Sequence, residues 1–143
     1  MSPVAITLLV LVFLISDAAL IGALVLAPIR TRWNALGRAF PARAPEANAV
    51  GQNFQSFVLG SLNLGWSIHV SVDMGHLHLR PARLVRWLGA RPASVPWDAI
   101  TFRAVRMSLG KPWVEVTIAG VELMGPAWCL EPAVPLTPED RDR

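Results

Sequence analysis

The sequence predicts one N-terminal transmembrane α-helix followed by a small mainly-β domain, an antiparallel sheet or partly open barrel without a clear C-terminal helix. Three observations predict it. Residues 4–29 read VAITLLVLVFLISDAALIGALVLAPI and carry a single charge, Asp17. From Asn53 onward the pattern changes to short alternating runs separated by turn residues, as strands do. After Met124, Pro132 and Pro135 stop any helix long enough to close the sheet. The chain of 143 residues therefore divides into a transmembrane helix (1–29), a juxtamembrane connector (30–52), a β domain (53–125) and a Pro-rich, acidic tail (126–143).

The apolar run justifies the first element. About 20 apolar residues cross the hydrocarbon core, so residues 4–29 span a bilayer in a single pass with tilt to spare. The start, Met-Ser-Pro, lacks the basic n-region of a cleaved signal peptide, which reads as a retained anchor. Nothing basic precedes the run, whereas Arg30, Arg32, Arg38 and Arg43 follow it before the first acid, Glu46. Basic residues beside a span stay in the cytoplasm, which places the N-terminus outside and the β domain inside. Arg30, Arg32 and Trp33 are the expected membrane-interface residues, with Trp33 in the aromatic belt.

Asp17 lies near the middle of the span, where an ionised carboxylate costs about 2.5–3.5 kcal/mol on insertion scales. Ala18 and Gly22 sit four residues apart on the same stretch, a spacing that lets a second helix approach closely. Asp17, Ala18 and Gly22 are read together as a helix-docking face. The span offers none of the usual axial ligands for haem, and no cofactor is expected.

The connector holds a helical turn at Arg32–Phe40 and is then broken by Pro41 and Pro45. Strands are expected at Phe54–Leu59, Leu64–Val72, Leu77–Arg80, Ile100–Met107, Trp113–Ile118 and Val121–Met124, the last two as a tight hairpin about Gly120. Parity fixes one register. Placing Ile68, Val70 and Val72 on one face with Leu77 and Leu79 puts Val72 opposite Leu77 and sends His69, Ser71, His76 and His78 to the other face. His69 and His78 then sit diagonally across the hairpin, but spacing supplies no third ligand, so no metal site is assigned.

Charge is distributed unevenly. Residues 30–111 carry eleven basic side chains against three acidic ones, while residues 112–143 carry six acidic against two basic. A basic middle beside a membrane is attracted to anionic lipid. The arginines are not interleaved with a recognition element, so nucleic acid is not an expected partner. Ser, His and Asp occur at no nucleophile-elbow spacing, and Gly60, Gly65 and Gly75 form no phosphate loop. Cys129 stands alone, which excludes an intrachain disulfide. The chain reads as non-catalytic.

Six tryptophans in so short a chain serve as core, interface or membrane anchors according to their surroundings. Trp87 lies between Arg-rich flanks, so Arg83, Arg86 and Trp87 form a candidate contact with lipid or a partner.

Several local patterns carry a resemblance. They are Trp33-x-x-Leu36 with Phe40-Pro41-Ala42, then Phe54-Gln55-Ser56 with Leu59-Gly60, and a strand ending Val70-x-Val72. Gly75-x-Leu77-x-Leu79 and Val95-Pro96-Trp97-x-x-Ile100 follow. Across Trp33 to Ile100 the chain resembles uncharacterised bacterial single-pass membrane proteins whose soluble part is a pleckstrin-homology-like (bacterial PH/GRAM-type) β domain. The resemblance implies a fold and no mechanism. PH-like folds close one end of the sheet with a C-terminal helix. Here the prolines after Met124 imply a sheet that stays partly open or is covered by another chain.

Two functions follow as expectations. The first is an accessory subunit that docks on and stabilises a larger membrane protein complex through the span and the β domain, with photosynthetic and respiratory complexes as the analogy. The alternative is a PH-like module that binds anionic lipid headgroups at the membrane surface.

Overall fold

The computed structural model describes residues 2–135. The first element is α1 (Pro3–Pro28), apolar around its whole circumference. Its start is well formed: the Ser2 hydroxyl accepts the Ala5 N–H at 3.2 Å, and Pro3 occupies the first turn, where its missing N–H costs nothing. No residue of α1 is buried by the rest of the chain. The helix is long and apolar enough to cross a membrane, with a mean hydropathy of 2.7 over its most apolar stretch.

The helix does not end where the apolar run ends. Pro28 removes one backbone donor, and the chain widens into a single π turn (Ile29–Trp33) before returning to α geometry in α2 (Asn34–Ala39). Pro3–Ala39 is thus one unbroken helical stretch of 37 residues. The first ten residues of the expected connector belong to it. Ile29, Trp33 and Leu36 fall on one stripe and are at most 1% exposed. Each such burial contributes about 1.5–3 kcal/mol, so three of them matter to a domain whose total stability is of order 5–15 kcal/mol. The end of the long helix is therefore part of the domain core.

The domain comprises nine strands: β1 (Val50–Gln55), β2 (Val58–Leu59), β3 (Leu62–Asn63), β4 (Ile68–Val72), β5 (His76–Pro81), β6 (Ala93–Pro96), β7 (Ile100–Ser108), β8 (Lys111–Ile118) and β9 (Val121–Pro126). They form two antiparallel sheets, of order β1-β4-β5-β6 and β3-β2-β9-β8-β7, which do not close into a barrel. The chain passes from the first sheet to the second between β1 and β2. Phe57 at that corner is fully buried, and a side chain at Gly125 would run into its ring.

The β4–β5 register is the one parity required, with Val72 opposite Leu77 and Ser71 opposite His78. The β8–β9 hairpin turns through Ala119-Gly120 and the β7–β8 hairpin through Leu109-Gly110, both residues of each turn at positive φ. Strand β6, short and flanked by prolines, carried too little alternation to be read from the sequence. Conversely, the expected Leu64–Val72 strand is pairing-competent only from Ile68. After β9 the chain forms one short helix, α4 (Ala127–Leu130), and a 3₁₀ turn at Glu131–Ala133. Cys129 and Leu130 are buried there, so α4 plugs the core without covering the sheet end as a long helix would. The acidic end of the tail, 136–143, lies outside the described residues.

Candidate functional site

The junction between helix and domain is held by side-chain hydrogen bonds from Trp33 and Asn34. Trp33 was expected at the membrane interface, but its ring is 1% exposed and its indole N–H donates to the Arg91 carbonyl at 2.7 Å. It is a core residue of the domain. The sequence signal was ambiguous because an interfacial and a core tryptophan look alike one turn beyond a span. Asn34 adds two bonds, donating to the Gly89 carbonyl and accepting the Arg91 N–H, both at 2.9 Å. Gly37 fits because a Cβ there would strike Arg91 and Pro92. Arg30 and Arg32 are exposed, and the Arg32 guanidinium lies over Gly60.

Of the expected docking face on α1, Asp17 and Gly22 are half-buried and Ala18 is exposed. The other candidate contact lies on α3 (Arg83–Trp87). Arg83, Leu84, Arg86 and Trp87 are exposed, with Trp87 at 80%. The loop that follows α3 is the one bonded to Asn34, which sets this short helix beside the base of the long one.

A polar network that sequence spacing concealed joins Asp73, His78 and Ser94. His78 Nε2 lies 2.7 Å from Asp73 Oδ2, and His78 Nδ1 lies 2.8 Å from Ser94 Oγ. An ionised carboxylate only accepts, so His78 Nε2 donates to Asp73. Asp73 Oδ1 also accepts the N–H groups of Gly75 at 2.9 Å and His76 at 2.7 Å, and Oδ2 accepts that of Glu46 at 3.2 Å. Burial alone would raise the Asp73 pKa, but the bonds from His78, Glu46, His76 and Gly75 together hold it well below the ordinary carboxylate value.

This is the order of groups found in a hydrolytic triad, yet its setting is that of a strut. Ser94 Oγ already accepts the Arg43 N–H at 2.8 Å, and Ser94 is 4% exposed. The bonds from Ser94 to Arg43 and from Asp73 to Glu46 tie the segment after Pro41 across the outer face of the first sheet. His78, placed by parity on the solvent face, is accordingly buried beneath that segment. Local alternation cannot reveal a covering segment from elsewhere in the chain.

A cleft of about 500 Å³ lies between the edge strand β1 and the ends of β8 and β9. Phe54, Trp66, Trp113 and Trp128 supply aromatic walls, with Pro112 and Lys111 at the mouth of the β7–β8 hairpin. Phe54 sits in a β-bulge, where Asn53 and Phe54 together oppose His69, and has φ +54°. Trp66 has φ +46°. Both side chains are solvent-facing, at 60% and 78% exposure. Beyond the bulge, His69 stacks edge-on against Phe54 at 4.8 Å, and its pKa is lowered by burial first and then by Arg80 and Arg86. No family model matches the chain, and no curated protein or solved structure matches it, so the geometry above carries the functional reading.

Proposed function

We propose that the chain is a non-catalytic, membrane-anchored accessory subunit that docks on a larger membrane protein complex. One observation carries the reading. No residue of α1 is fully buried by the rest of the chain, yet its continuation delivers Ile29, Trp33 and Leu36 into the domain core. A flexible linker would suffice for a tether. A helix built into the core fixes the orientation of the β domain relative to the membrane, which a two-point docking surface requires. Asp17, Ala18 and Gly22 supply the point within the bilayer. The buried Ser94 hydroxyl, bonded to Arg43, supports a non-catalytic role. The run of Arg30, Arg32, Arg38 and Arg43 supports a cytoplasmic domain with the N-terminus outside.

Purification of the tagged full chain from native membranes in mild detergent tests this reading. The chain is expected to migrate with a larger assembly and to be released by Asp17→Leu combined with Gly22→Leu. A lone monomer under the same conditions contradicts it.

A second reading rests on α3. Exposed Leu84 and Trp87 beside Arg83 and Arg86, next to the helix base, suit contact with anionic headgroups. With the full chain in nanodiscs, brominated lipid should quench a fluorescence component that is absent in Trp87→Phe. No difference between the two proteins rejects lipid contact.

A further inference from the structure

We infer that the aromatic cleft between β1 and the ends of β8 and β9 binds a proline-rich segment of a partner protein, in extended polyproline conformation and with an acidic residue next to its prolines. This deepens the docking reading and rests on it for the identity of the partner as a protein. The cleft's own chemistry carries the argument.

Two of the four non-glycine residues at positive φ among the described residues, Leu109 and Ala119, lie in tight hairpin turns that require it. The other two, Phe54 and Trp66, are bulky aromatics, for which that conformation is costly, and both line the cleft with their rings exposed. A buried ring would recover the cost through packing. The Phe54 ring has the edge of His69 against it but stays mostly open to water, as does Trp66, and a ligand that covers both would recover it.

The indole N–H groups report on the ligand's polarity. Those of Trp33, Trp97 and Trp128 each have a protein acceptor, the last being Gln55 Oε1 at 3.0 Å. Those of Trp66, Trp87 and Trp113 have none among the described residues, and the two that line the cleft, Trp66 and Trp113, can donate to a ligand carbonyl. A polyproline helix presents a fully unsatisfied row of carbonyls and flat rings that pack on aromatic faces, at low entropic cost. Among the described residues, Lys111 is the sole charged one lining the cleft. Its ammonium disfavours a quaternary ammonium ligand, which aromatic cages otherwise suit, and favours an acidic neighbour on the peptide.

The cleft is also clear of the junction. Trp113 pairs with Pro126 at one end of the β8–β9 hairpin, whereas the Gly120 turn at the other end lies near Arg32. Five residue steps of strand carry Trp113 to Ile118, roughly 17 Å. An occupant of the cleft does not compete with the helix for its seat.

The test uses the full chain in detergent and a synthetic decaproline peptide ending in Asp-Glu, followed by calorimetry. Saturable binding is expected, with no binding of a Gly-Ser peptide bearing the same acids. Trp66→Ala removes an exposed ring and should weaken binding about ten-fold, the loss of one aromatic anchor. Lys111→Glu should weaken the acidic peptide and leave plain decaproline unchanged, and Trp87→Ala should change neither. Absence of saturable binding overturns the inference, as does binding indifferent to Trp66→Ala, or tighter binding of tetramethylammonium than of the peptide. If the peptide fails while the native assembly persists, the cleft assignment alone falls. If the peptide binds and no assembly exists, the docking reading falls instead.

Discussion

Replacing Asp73 by alanine should be among the most damaging single changes in the β domain, although the residue sits in a turn. Its carboxylate accepts four hydrogen bonds, from Gly75, His76, Glu46 and His78. The Gly75 and His76 donors lie near solvent and regain part of their loss from water. The His78 ring is only 8% exposed at its side chain, so its Nε2–H is left buried and unpaired. Hydrogen bonds to a charged group contribute about 1.5–3 kcal/mol each, and stranding a buried donor costs about 1–3 kcal/mol. Allowing for recovery from water, the expected loss is about 3–5 kcal/mol, in the range seen when a buried pair is broken.

The sign of the pH dependence follows from the same bonds. The folded-state pKa of Asp73 is depressed, so its stabilisation is fully present above the unfolded carboxylate value of about 3.9 and is lost as pH falls below it. Chemical denaturation of the full chain, read by tryptophan fluorescence, measures both effects. Trp97 is a local reporter, since its indole N–H donates to the Asp73 carbonyl at 3.0 Å. The alanine variant should be several kcal/mol less stable at neutral pH and should show a flatter profile between pH 5 and 2 than the parent, roughly the span over which such a carboxylate titrates. A loss below about 1 kcal/mol, or an unchanged acid profile, would refute the claim that this network pins the segment after Pro41.

Three further outcomes are expected. Burial pushes the Cys129 thiol up to about 12, so a maleimide should label the folded chain negligibly at neutral pH and rapidly once it is unfolded. Leu109 is fully exposed at φ +51° in a two-residue turn, and Leu109→Asn should raise stability by about 1 kcal/mol in thermal melts. Gly125→Ala forces a Cβ into the Phe57 ring at the corner between the sheets and should cost about 1–3 kcal/mol, measurable by the same denaturation assay.

Much of this architecture was legible because period and burial agree along each element. The apolar run of α1 and the alternations of β4, β5, β8 and β9 announce themselves within a few residues, and the Val72–Leu77 register follows from parity alone. What escaped depends on contacts between distant segments. Trp33 and Asn34 find their partners at Arg91 and Gly89, more than fifty residues on. His78 is buried by a segment that alternation cannot place, and Ser94 sits on a strand too short to signal itself. The aromatic cleft gathers residues from β1, the loop before β4, the β7–β8 hairpin and α4, each an unremarkable aromatic in its own stretch.

The docking account turns on the rigid passage of the long helix into the domain. Spin labels at Ser16→Cys on α1 and Leu109→Cys at the exposed β7–β8 turn, with buried Cys129 left unlabelled, measure it directly by pulsed electron resonance in nanodiscs. A single narrow distance distribution is expected if Ile29, Trp33 and Leu36 lock the helix into the core. A broad distribution would show the domain swinging on a hinge, and would contradict the account.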